Sequence, residues 1–167
     1  MSKRVWQYIG ILAAAAAYYI VHEGAHLLYA LFTGMFRQIR FMGLGVQVDV
    51  YAGHMTDSQM GFFCLAGVLA TLCAAYLLTA LAKRICLFKS ELLRAVMYYI
   101  TIAFLLLDPL YLSILCGLFG GGDMNGIFLL FPEWSARCVF GALLIFNGLI
   151  FLKHILPVYK ASFSKCA

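Results

Sequence analysis

From Met60 to Ala82 the chain runs for 23 residues without a charge, and Lys83-Arg84 ends the run sharply. About 20 apolar residues suffice to carry a helix across the hydrocarbon of a bilayer. Three other stretches have the same character: Val5 to Phe32, the segment that starts near Leu92, and Cys138 to Leu156. Charged residues make up 11% of the 167 and hydrophobic ones 65%, where a soluble domain carries roughly 25% charge. Too little polar surface is available to face water on all sides. The expected fold is an all-α polytopic membrane protein, a single membrane-embedded domain over residues 1–167. Its helices are expected at about 5–33, 60–82, 92–115 and 134–156, each near the length a crossing needs.

The start, Met1-Ser2-Lys3-Arg4 before a long apolar run, has the outline of a signal peptide, and Ala13 to Ala17 could imitate its cleavage region. Apolar character resumes with Leu27, Leu28, Leu31 and Phe32, beyond the reach of a signal h-region. The segment reads as a retained helix.

Between the first and second segments the pattern changes. Ile39 to Gly45 and Val46 to Val50 alternate with a period near two and are rich in β-branched residues, which predicts a strand pair or short hairpin within about 38–52. An open strand edge cannot lie in lipid, so this pair belongs at the interface or against the helices. Pro109 is expected to kink or end the third helix and Pro157 to close the fourth. Between them lies Gly120-Gly121-Gly122-Asp123-Met124-Asn125-Gly126, with a short broken or re-entrant helix expected over 123–131. Gly141 and Gly148, or the Ala13–Ala17 run, are expected to permit close helix packing.

Twelve basic and seven acidic residues give a net charge of +5. In a membrane chain such an excess sets topology, and no basic patch interleaved with aromatics points to nucleic acid. Lys3, Arg4, Lys83, Arg84, Lys89, Arg94, Lys153, Lys160 and Lys165 fall on one side of four crossings; Asp108, Asp123 and Glu133 lie between the third and fourth. The positive-inside rule then puts both termini in the cytoplasm, in the plasma membrane, with Arg37 and Arg40 outside beside lipid headgroups. The six cysteines form no CxxC and read as small buried hydrophobes.

The sharpest motif is His22-Glu23-Gly24-Ala25-His26. A spacing of four puts both imidazoles on one helix face, one turn apart, able to grip one zinc ion. Glu23 beside them is the expected catalytic base, taking a proton from a water that zinc acidifies. Such polar residues in a membrane helix are expensive unless they face an interior or a wet cavity. The third ligand is expected to be Asp123, in a glycine-rich stretch suited to aiming a side chain inward. Asp108 and His54 are the alternatives; Asp108 before Pro109 also reads as an N-cap or break, and His154 as a boundary residue.

Together these features resemble the site-2 protease family of intramembrane zinc metallopeptidases. The resemblance rests on His22-Glu23-Gly24-Ala25-His26, on Gly34, on Phe41-Met42-Gly43-Leu44-Gly45, and on Gly122-Asp123-Met124-Asn125-Gly126, so it covers about residues 18 to 131. In this chain Met124 and Asn125 stand between the aspartate and the glycine, which that family usually has side by side. The resemblance implies one zinc per chain, held by His22, His26 and Asp123, and cleavage of membrane-protein or peptide substrates within or beside the bilayer. It also implies a metal nearer the cytosolic face, whereas the charge count puts it nearer the outside. A regulatory membrane partner or a second copy of the chain could assist substrate selection. The alternative function is an inactive or structural zinc-binding membrane protein that acts as a partner or regulator.

Overall fold

The structure, a computed structural model, describes residues 3–43, 45–118 and 122–164. Leu44, Gly120, Gly121, Lys165 and Cys166, which entered the sequence reading, lie outside the described residues. The chain forms helix α1 (Lys3–Phe32), strands β1 (Phe36–Met42) and β2 (Gly45–Val50), helices α2 (Asp57–Ile85) and α3 (Glu91–Ser113), a single-turn α4 (Met124–Ile127), then α5 (Glu133–Ile150) and α6 (Leu156–Ser164). α1, α2, α3 and the continuous stretch Glu133–Ser164 are long and apolar enough to cross a membrane. The expected class holds: four membrane-length helices and a two-stranded antiparallel sheet after the first.

Local chemistry sets the ends. α1 closes in a Schellman arrangement, with the Met35 amide donating to Ala30 O (2.8 Å) and that of Gly34 to Leu31 O (3.2 Å). Gly34 takes φ 70°, a left-handed conformation that glycine adopts without a steric penalty. That reversal delivers the chain directly into the hairpin, where Ile39 pairs with Val48 and Phe41 with Val46. Thr56 begins α2 with a capping box: its hydroxyl accepts from the Gln59 amide (3.2 Å), and the Gln59 side chain accepts from the Thr56 amide (2.9 Å). Ser90 caps α3 by accepting from the Leu93 amide.

α1 packs against α2 and α3, and α3 against α5. Two apolar clusters fill the bundle. One, at the hairpin end, joins Ala30, Val48, Phe63, Val68, Leu112 and Ile127; the other, at the opposite end, joins Ala75, Ala82, Phe104, Leu105, Ile155 and Tyr159.

Pro157 does not close the last helix, and Pro109 does not end α3, which covers nearly the expected 92–115. α3 runs through Pro109 to Ser113. Proline lacks the amide that would bond the carbonyl four residues back, which frees Leu105 O. Asn147 of α5 supplies the missing donor, with Nδ2 2.7 Å from Leu105 O, while its Oδ1 accepts from Tyr76 OH of α2 at 2.9 Å. One side chain therefore ties three helices at the break. Asp108 is accordingly neither an N-cap nor a loop acid; it is buried inside α3. Near Pro157, residues Phe151–Ile155 widen into a π turn and the helix resumes as α6. Proline falls in the first turn of α6, where a missing amide costs little. Close packing at glycine occurs elsewhere than expected. A Cβ at Gly148 would meet nothing within 4 Å and one at Gly141 only Ser113, whereas one at Gly61 would strike Leu130 and one at Gly10 Tyr99.

Candidate metal centre

Residues 22 and 26 stand one helical turn apart on α1, and both side chains are buried. His26 is six residues from the end of the helix, about 9 Å at 1.5 Å per residue. The centre therefore sits below the hairpin end of the bundle rather than at its surface. The Nε2 atoms of both histidines face α2 at Gly67. A Cβ added there would stand 2.6 Å from His26 Nε2 and 2.8 Å from His22 Nε2, so only a hydrogen side chain leaves that space open.

The turn before α4 carries Asp123 into the same space. Its Oδ2 lies 2.9 Å from His22 Nε2 and its Oδ1 3.5 Å from His26 Nε2. Four tetrahedral donors at 2.0–2.1 Å from a zinc ion would stand about 3.3 Å apart, and these separations bracket that value. Burial raises the Asp123 carboxyl, but the two imidazoles beside it outweigh burial and hold it at about 2. It is an anion aimed at two nitrogen donors.

The far side of the His26 ring is hydrogen-bonded, whereas His22 Nδ1 is buried and makes no hydrogen bond. His26 Nδ1 lies 2.8 Å from the carbonyl of Phe63, which can only accept, so Nδ1 carries the proton and Nε2 presents a lone pair. His22 Nδ1 lies 3.5 Å from Oδ1 of Asp108. Two imidazoles with their Nε2 atoms turned to one space, a carboxylate, and a gap that a methyl group would fill make a donor set that could hold a metal ion.

Glu23 is near the histidines and lines the same cleft as Asp123. Ligand-capable atoms of His22, Glu23 and His26 lie within 4.8 Å of one another. One carboxyl oxygen of Glu23, Oε2, accepts a 3.0 Å hydrogen bond from the Val48 amide of β2. A cleft of about 450 Å³ opens over the group, lined by Tyr19, Glu23, Val46, Val48, Tyr111 and Asp123 among others, so solvent can reach it.

Of the other candidates, Asp108 meets His22 on the side away from Asp123. His54 is exposed in the turn before α2, stacked on Tyr51 with ring centroids 5.9 Å apart, and His154 lies in the π turn of the last span. Neither joins the cluster. Sequence reasoning missed Gly67, Thr71, Tyr18 and the Val48 amide. Tyr18 was within reach, since it precedes His22 by one turn and shares its face. Gly67 carried a signal too: a glycine inside a helix costs about 1 kcal/mol relative to alanine and asks for a packing reason.

Comparison of the chain with models of protein families, with curated proteins and with solved structures finds no match to any of them. The functional reading therefore rests on the chain's own residues and their arrangement.

Proposed function

We propose that this chain is an intramembrane zinc metalloprotease of the site-2 protease kind, hydrolysing peptide bonds of membrane-associated substrates. One observation carries the reading: His22 Nε2, His26 Nε2 and the Asp123 carboxyl converge at the bare face of Gly67, with Glu23 held alongside. His22, His26 and Asp123 would hold one zinc per chain. When bound, zinc supplies Lewis acidity, which lowers the pKa of water to about 7 and polarises a carbonyl.

The chain's own groups do the rest. Val48 fixes Oε2 of Glu23, leaving the other oxygen to take a proton from the attacking water and deliver it to the departing amine nitrogen. Water's hydroxyl ends on the carbonyl carbon as the C–N bond breaks. A substrate helix has to unwind first, because its peptide bonds are otherwise closed within helical hydrogen bonds. β2 offers the unwound segment a place to pair. The Val48 amide points at α1, and amides two residues away in a strand face the same way, so an extended peptide can lie along that edge.

Lys83, Arg84, Lys89 and Lys160 at the end opposite the hairpin support an orientation with both chain ends in the cytoplasm of the cell. Arg40, paired with Asp49 at 2.8 Å, and Arg37 then lie among the outer headgroups.

The test is cleavage itself. Detergent-purified protein is incubated with a mixture of transmembrane peptides, and new N-termini are mapped by mass spectrometry. Cleavages that a zinc chelator abolishes and that Glu23→Gln lacks support the proposal. A zinc-loaded wild type that yields the same N-termini as Glu23→Gln would overturn it in favour of a non-catalytic zinc-binding partner.

A further inference from the structure

Asp108 is 2% exposed in the last third of the membrane-length helix α3, where a buried acid is expensive unless it has partners and a purpose. Its partners come from two other helices. Tyr18 OH of α1 donates to Oδ1, and Thr71 Oγ1 of α2 donates to Oδ2. His22 Nδ1 lies 3.5 Å from Oδ1, and the Tyr18 ring stacks on the His22 ring with centroids 5.0 Å apart and planes 22° apart. Asp108 thus has a hydroxyl on each oxygen and an imidazole nitrogen beside one of them. Thr71 lies one turn beyond Gly67 on the same face of α2, so the helix that opens space for a metal also anchors this acid.

We propose that Asp108 is a positioning residue for the metal centre, orienting His22 through Nδ1 rather than ligating the ion. This rests on the reading of His22 and His26 as metal ligands. With a metal on Nε2 the proton of His22 sits on Nδ1, and Asp108 serves as the acceptor beside that nitrogen. Phe63 O does the same for His26 with a backbone carbonyl. Each ligand ring is then set by its own acceptor. Tyr18 and Thr71 hold Asp108 against rotation, and Tyr18 also restrains the plane of His22.

Zinc affinity and the spectrum of the cobalt-substituted protein test this, in wild type, Asp108→Asn, Asp108→Ala and Thr71→Val. Loss of such an acceptor typically weakens metal binding 10–100-fold. Asp108→Ala should fall about that far yet still take up one ion at saturating zinc. Asp108→Asn keeps the shape and an acceptor oxygen, so it should fold, restore most of the affinity and leave the cobalt d–d bands unchanged. Thr71→Val should show a smaller loss. Unchanged zinc affinity in Asp108→Ala would overturn the positioning role. Altered cobalt bands in Asp108→Asn would overturn it in favour of a ligand. A wild type that binds no metal is a separate outcome, which fails the metalloprotease reading itself and removes the basis for this role.

Discussion

The amide of Val48 donates a 3.0 Å hydrogen bond to Oε2 of Glu23, joining the hairpin to the helix that carries both histidines. Because Val48 is paired in register with Ile39, the position of the carboxylate depends on the register of the whole hairpin. A slip of one residue would turn a different face and a different amide toward α1.

Glu23→Gln keeps an oxygen to accept from Val48 but cannot take a proton. Zinc content should stay at the wild-type level while peptide hydrolysis falls by about 10²–10⁴, the usual contribution of a general base. Metal analysis and a cleavage assay on one preparation check both halves; metal loss in this variant would make Glu23 a ligand.

Gly67→Ala should separate folding from metal binding. Alanine is the better helix former, so helicity by circular dichroism should be unchanged. Its methyl would stand 2.6 Å from His26 Nε2, inside the space the ligands share. Zinc affinity should drop at least about tenfold, since a 1.4 kcal/mol strain already gives that factor. Wild-type affinity would show that the histidines meet elsewhere.

Asn147→Ala should destabilise the bundle by about 1–3 kcal/mol, because it strands the Leu105 carbonyl that Pro109 cannot serve. Tyr76→Phe removes only the outer bond of the pair and should cost about 1 kcal/mol. Unfolding in detergent followed by circular dichroism measures both, and the order Asn147 above Tyr76 is the prediction.

A cysteine placed at Arg37 should react with a membrane-impermeant thiol reagent on intact cells, and one placed at Lys89 only after permeabilisation. Arg37 is exposed on the hairpin and Lys89 lies in the turn between α2 and α3, at opposite ends of the bundle. The reverse pattern would put the hairpin and the metal centre on the cytoplasmic side.

The spans and the hairpin were legible because each is written locally: uncharged runs of membrane length and a period of two between them. His22 and His26 were legible because their spacing matches the helical repeat. What stayed hidden depends on residues distant in sequence. Asp108-Pro109 obeys the local rule for a break, yet Asn147 overrides it from another helix by serving the freed carbonyl. Gly67 and Thr71 look like ordinary positions in an apolar helix until the packing of α1 on α2 decides which face meets the histidines.

The most direct measurement is the zinc content of detergent-purified protein, wild type beside His22→Ala, His26→Ala and Asp123→Ala. One zinc per wild-type chain, lost in all three variants while helicity is kept, is the predicted result. A wild type without zinc after metal-replete purification, or an Asp123→Ala that keeps it at full affinity, would contradict the proposed centre.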